Sequence, residues 1–203
     1  MNMSTGLEIP KMPSTLVIRP VLSDEDFEQL CATNADVALE RTREGEIVVN
    51  APAGFGTSDA NREIITQLSV WWKTHRRGRV TESSAGFFLP DGSALSPDAA
   101  YITAVQAGGL TRDDIDHFLR FAPAFVIELR SKSDELNKAF EKMERWLANG
   151  VQLAWLVDPY THTVYVYEAG NEPRKETGES ISGSGPVEGF VLDLNEVWPS
   201  YSV

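Results

Sequence analysis

The apolar residues of this chain change period several times, and each change marks a boundary between elements. Ile64, Ile65, Leu68, Trp71 and Trp72 recur at helical spacing, which predicts a long amphipathic helix from about residue 58 that stops near Gly78. Leu136, Phe140, Met143 and Leu147 form a second stripe within 133–149, closed by Gly150, and this helix is expected to pack on a sheet. Ser23 followed by Asp24, Glu25 and Asp26 reads as an N-cap with an acidic first turn, opening a helix through about residue 32. The nearly unbroken apolar run 124–129 fits a strand buried on both faces.

Shorter strands are expected at 37–41 and 46–50 around the Gly45 turn. Three more, at 79–83, 86–89 and 99–103, read as a meander, with Pro90, Asp91 and Gly92 supplying turn chemistry. A loop through Gly108 and Gly109 leads to a short helix capped by Thr111, and 153–157 and 163–167 form a strand pair around Asp158-Pro159. The Gly/Ser/Glu-rich stretch 170–185 is expected to be a mobile hairpin tip or loop. Residues 1–14 lack periodicity and read as a flexible arm. The order predicts one α/β domain over 15–203, with a mixed sheet covered by helices.

Composition agrees with one globular domain: 203 residues, 42% hydrophobic and 24% charged. No stretch approaches the roughly 18 apolar residues of a membrane span. The start, MNMSTGLEIPKMPSTL, does not read as a secretion signal, and the single Cys31 cannot form an internal disulfide, so cytoplasm is the expectation. Cys31 reads as a small hydrophobe in the first helix. The net charge of −12 opposes general nucleic-acid affinity, which comes mostly from Lys and Arg on phosphates. One basic cluster exists, Lys73, His75, Arg76, Arg77 and Arg79; it reads as cations at a helix C-terminus or as a phosphate-contact patch.

The chemistry concentrates in two places. Ser96-Pro97-Asp98 enters a strand, and thirty positions later Glu128 follows the apolar run Phe125-Val126-Ile127. A carboxylate in a central strand is costly to desolvate and signals a cation or metal partner. Magnesium often takes only one or two carboxylates and keeps water and substrate phosphate in its remaining positions.

Leu89-Pro90-Asp91-Gly92, Ser96-Pro97-Asp98, Glu128 with Ser131, Lys142, and the stretch Gly150-Val151-Gln152-Leu153-Ala154-Trp155-Leu156-Val157-Asp158-Pro159 occur together and in order. That conjunction, spanning roughly 40–167, resembles the bacterial restriction endonuclease-like branch of the PD-(D/E)XK nuclease superfamily. The resemblance implies a restriction endonuclease-like α/β fold, with a mixed central β-sheet flanked by helices, and metal-assisted hydrolysis of DNA. Asp98, Glu128 and the Leu129 carbonyl would hold Mg²⁺ or Mn²⁺. The family usually has a lysine two residues after the Glu. Here Arg130 stands there; it cannot deprotonate water but can stabilise phosphate charge. Lys142 is the matching lysine on the following helix, able to lay its stem on the core and reach the sheet edge. An upstream acid often completes such sites; Glu46 is the candidate, with Glu40 close behind. Restriction-like relatives also imply a homodimer.

Taken singly, these residues have plainer readings. Asp98 can be a strand-entry residue, Glu128 a partner for an arginine, Lys142 a solvated helix residue, Arg130 a salt-bridge partner, and Asp158 turn chemistry before Pro159. His75, His117 and His162 lie far apart without zinc-ligand spacing. Gly54-Phe55-Gly56 reads as a loop, since it lacks a P-loop ending, and Trp71, Trp72, Trp146 and Trp155 read as core or interface packing. Three functions therefore compete: a Mg²⁺-dependent endonuclease acting on DNA, a nuclease-fold domain that binds or dimerises without catalysis, and a carboxylate-pair hydrolase of another substrate such as a glycoside.

Overall fold

A computed structural model describes residues 22–198 and, as backbone, a strand at 15–18; the arm expected over 1–14 lies outside the described residues. That strand is β1 (Thr15–Ile18). In α1 (Asp24–Thr33) the Ser23 hydroxyl accepts the Asp26 amide at 3.1 Å, satisfying one of the orphan donors of the first turn. β2 (Ala38–Arg41) and β3 (Ile47–Asn50) form the expected hairpin, with Gly45 at φ 81°, a conformation glycine adopts without strain. α2 (Phe55–His75) begins ahead of its apolar stripe, so Gly54 is its N-cap and Phe55 and Gly56 are helical rather than loop.

The chain continues through β4 (Arg79–Glu82), β5 (Phe87–Phe88), β6 (Ala94–Leu95), β7 (Ala99–Ile102), α3 (Ala104–Gly108), β8 (Phe125–Leu129) and α4 (Leu136–Ala148). It ends with β9 (Leu153–Asp158), β10 (Thr163–Glu168), β11 (Arg174–Glu176), β12 (Ser180–Ser182) and β13 (Val191–Asp193). The main sheet has the order β11-β10-β9-β8-β7-β4, with β8 and β9 parallel and their neighbours antiparallel. A second sheet has the order β1-β3-β2-β6-β5, and β12 pairs with β13.

Alternation along β8 sends its side chains to two different cores. Phe125, Ile127 and Leu129 pack with Ala60, Ile64 and Leu68 of α2, whereas Val126 packs with Met143 and Trp146 of α4. Burial on both faces explains why the run is apolar, and full burial of each large side chain contributes about 1.5–3 kcal/mol. Among the described residues no helix is long and apolar enough to cross a membrane.

Several expectations need correction. There is no meander: β4 pairs directly with β7, while β5 and β6 form a hairpin in the second sheet. The short hairpin leaves the main sheet because both its faces find apolar partners, Phe87 in the α4 core and Phe88 beside Phe27, and because Gly92 at φ 86° turns it back. The loop before Thr111 contains α3, capped by Thr103 and Gln106 in a reciprocal capping box; Thr111 itself accepts the Asp114 amide at the 3-10 turn Asp113–Asp116. The stretch 170–185 is not simply a loop. It holds β11 at the edge of the main sheet and β12 against β13, with Ile181 buried.

Candidate active site

The register between β7 and β8 pairs Ala99 with Ile127 in antiparallel sense. One further step brings Asp98 opposite Glu128, so both side chains leave the sheet on the same side, towards α4. Asp98 Oδ2 accepts the Leu129 amide at 2.7 Å. Glu128 is 9% exposed, and its Oε1 accepts the indole N–H of Trp146 at 2.8 Å. The Lys142 ammonium lies 2.9 Å from Glu128 Oε1 and 3.0 Å from Oε2. Lys142 and Trp146 stand four residues apart on α4, hence one above the other on the same helix face.

The same ammonium lies 2.9 Å from Oε1 of Glu40, an oxygen that also accepts the Ser96 amide at 3.1 Å. Glu40 belongs to the second sheet and Glu128 to the main one. They meet because Ser96-Pro97-Asp98 carries the chain from β6 in one sheet to β7 in the other. The Ser-Pro-Asp segment therefore both supplies an acid and joins the two layers between which the cluster lies.

Two carboxylates on one ammonium, with the Asp98 carboxylate within electrostatic reach, crowd acidic groups in a poorly solvated place. Burial raises the Glu128 pKa to about 8; Lys142 opposes that rise, and Asp98 and Glu40 reinforce it. Burial also raises Asp98, against the Leu129 amide and Lys142, which favour its charged form. Lys142 loses from burial, yet the carboxylates of Glu128 and Glu40 outweigh that loss and hold its pKa above the ordinary lysine value. Among the described residues no three His, Cys, Asp or Glu side chains are already grouped as a metal cage. The donor chemistry nevertheless fits a hard divalent cation, since its acceptors are all oxygen and a divalent ion would favour the charged forms that burial disfavours.

Arg130, at the usual lysine position, turns elsewhere. Its Nη1 lies 3.2 and 3.1 Å from the two oxygens of Asp158, and its Nη2 donates to the Asp134 carbonyl at 3.3 Å. Asp158 is fully buried and accepts the Tyr160 amide and the Thr161 hydroxyl as well, so it combines turn chemistry with an ion pair. Glu46 accepts the Thr42 amide through its main chain, and lies on the Glu40 side of the hairpin but about 7 Å nearer its turn.

The remaining candidates lie apart from the cluster. The basic residues from Lys73 to Arg79 are exposed, and Arg79 pairs with Ile102, at the far end of β7 from Asp98. His75, His117 and His162 contact Trp71, Glu28 and Trp198 respectively. Cys31 packs beside Phe27, and burial pushes its thiol up to about 11. Trp146 and Trp155 are core residues and Trp71 and Trp72 are half-buried. Sequence reasoning missed that Trp146 also holds Glu128. Its signal was the spacing from Lys142, together with the need of any buried indole N–H for an acceptor.

The Uma2 family, "Putative restriction endonuclease", matches residues 24–195, which include every residue of the cluster. Among solved structures, that of "a putative nuclease belonging to DUF820 from Anabaena variabilis ATCC 29413" has a TM-score of 0.75 and 20% identity, covering 88% of this chain and 98% of that one. At that identity the likeness is one of fold. No curated protein matches the chain. A mixed sheet flanked by helices, shared with that solved structure, thus carries a family signature over most of its length, and the chain belongs to the Uma2 family of restriction endonuclease-like proteins.

Proposed function

We propose that this protein is a cytoplasmic, Mg²⁺- or Mn²⁺-dependent endonuclease that hydrolyses DNA phosphodiester bonds and works as a homodimer. The observation that carries the reading is the convergence of Glu128 and Glu40 on one lysine, with Asp98 directly across the strand pair from Glu128. Asp98, Glu128 and the Leu129 carbonyl would hold the ion, with Glu40 as the upstream acid nearest to them and Glu46 the alternative. A divalent ion held there would supply polarisation of the phosphoryl oxygen and lower the pKa of water. Trp146 fixes the orientation of Glu128 from inside the core. Lys142 keeps a full positive charge, which offsets the charge that develops on the phosphoryl group.

Arg130 favours a second reading, a nuclease fold used for binding or dimerisation, because the usual lysine is replaced by an arginine committed to Asp158. One experiment separates the two. Purified protein with Mg²⁺ or Mn²⁺ is expected to nick supercoiled plasmid, and Glu128→Ala to lose that activity while its circular dichroism stays native. Equal nicking by the variant, or none by the wild type, overturns the catalytic reading.

A further inference from the structure

Arg130 is the residue immediately after β8, and its amide donates to the Val157 carbonyl at 2.9 Å, extending the β8–β9 ladder. It therefore stands at the carboxyl ends of the parallel pair, the side on which open α/β sheets bind their ligands. Its pairing with Asp158 is unusual in form. An arginine whose only task is to neutralise a carboxylate commonly presents two nitrogens to it as a fork. Here Nη1 alone faces both oxygens, and Nη2 uses one hydrogen on the Asp134 carbonyl. Of the five N–H donors of a guanidinium, that leaves one on Nη2 for an incoming group; the Nε–H is buried, without a partner among the described residues.

The guanidinium is also held from the side. It lies 5.4 Å from the centroid of the Tyr160 ring, a contact that favours a fixed cation. Tyr160 is 41% exposed and hydrogen-bonded to the side chain of Thr57, so the turn after β9 is tied to the first turn of α2. Asp158, fully buried, fixes the other flank. The Arg130 side chain keeps 20% of its surface exposed. The result is a clamped cation with an uncommitted Nη2 hydrogen, two positions and about 7 Å along the strand from Glu128, where a planar donor group suits an anionic oxygen.

We propose that Arg130 contacts a backbone phosphate of the nucleic acid one or two nucleotides from the phosphate at Glu128, and that Asp158 and Tyr160 are positioning residues for it. The inference rests on the nuclease reading above.

Binding of a duplex DNA oligonucleotide is measured as a function of salt, with Ca²⁺ replacing Mg²⁺, for wild type, Arg130→Gln, Arg130→Lys and the pair Arg130→Gln with Asp158→Asn. The pair removes both charges together, so a folded protein remains available if the single variant fails to fold. Removing the cation is expected to weaken binding about tenfold and to reduce the slope of log K against log salt by about one. Arg130→Lys keeps that slope and binds more weakly. For nicking with Mg²⁺, Asp158→Asn is expected to raise KM while leaving kcat close to wild type. A wild-type slope and KM in folded variants lacking the cation overturn this inference alone, provided that wild type nicks DNA and Glu128→Ala does not. A wild type that neither binds nor nicks DNA overturns the nuclease reading and this inference with it.

Discussion

Trp146 donates its indole N–H to Oε1 of Glu128 at 2.8 Å, and this bond links the hydrophobic core to the charge cluster. The ring itself is fully buried, edge-on to Phe87. Burial of the ring fixes the donor, the donor fixes the carboxylate, and the carboxylate shares Lys142 with Glu40 in the other sheet. Packing and site geometry are thus one structure, and core substitutions are expected to be read at the site.

Trp146→Phe separates the two roles, since it keeps an aromatic ring in the core and removes only the donor. Oε1 keeps Lys142 but loses its second donor; a hydrogen bond to a charged group contributes about 1.5–3 kcal/mol, and for a chain of this size each kcal/mol lowers Tm by about 2–4 °C. Thermal unfolding is therefore expected to show a fall of several degrees, with nicking reduced more than the lost stability alone accounts for. An unchanged Tm shows that the indole N–H contributes nothing to holding Glu128.

The raised pKa of Glu128 sets the pH dependence of the metal-free protein. Its folded value, about 8, lies above the ordinary 4.5, so the folded state binds a proton that the unfolded state releases across this window. The associated stability is complete below about pH 4.5 and is lost as pH rises through 8. Asp98, also raised, acts in the same sense. Urea midpoints measured in EDTA are expected to fall between pH 5 and pH 8, and millimolar Mg²⁺ to flatten that fall by favouring the charged carboxylates. A midpoint that rises with pH over this interval contradicts the assignment of burial as the dominant influence.

Lys142 gives the complementary test. Replacing it with methionine leaves Glu40 and Glu128 facing each other without their shared cation, and losing a charged hydrogen-bond partner at this partly exposed position costs about 1.5–3 kcal/mol. Lys142→Met is expected to unfold at lower urea in EDTA and to recover part of the loss on adding Mg²⁺, because binding to the folded state alone stabilises it. Nicking is expected to fall as well. Recovery of stability without recovery of nicking separates the electrostatic role of Lys142 from its role in the reaction.

The sequence carried much of this arrangement because some of its signals are local. An apolar run interrupted by Glu128 already implies burial on both faces and a partner for the charge, and the helix carrying Lys142 follows directly. What it could not show depends on pairing between distant segments. The excursion of β5 and β6 into the second sheet rests on Phe87 and Phe88 finding separate cores, and two-residue strands have no period to read. Asp158 looked like a turn residue because Pro159 follows it; its pairing with Arg130 arises only from the parallel register of β8 and β9. Glu40 and Glu46 sit in one hairpin, two acids on one side of it, and only packing against Ser96 and Lys142 distinguishes them.

That distinction can be measured. Glu40→Gln keeps the size of the side chain and can still accept the Ser96 amide, but it removes one of the two charges shared by Lys142. Groups that orient or charge-balance a metal-binding carboxylate commonly change metal affinity or activity 10–100-fold when altered, so Glu40→Gln is expected to reduce nicking by about that factor and to shift the Mg²⁺ concentration needed for half-maximal rate. Glu46→Gln, nearer the hairpin turn, is expected to leave the rate close to that of wild type. The reverse pattern assigns the upstream acid to Glu46, and requires the ion to lie nearer the turn than the Lys142 bridge suggests.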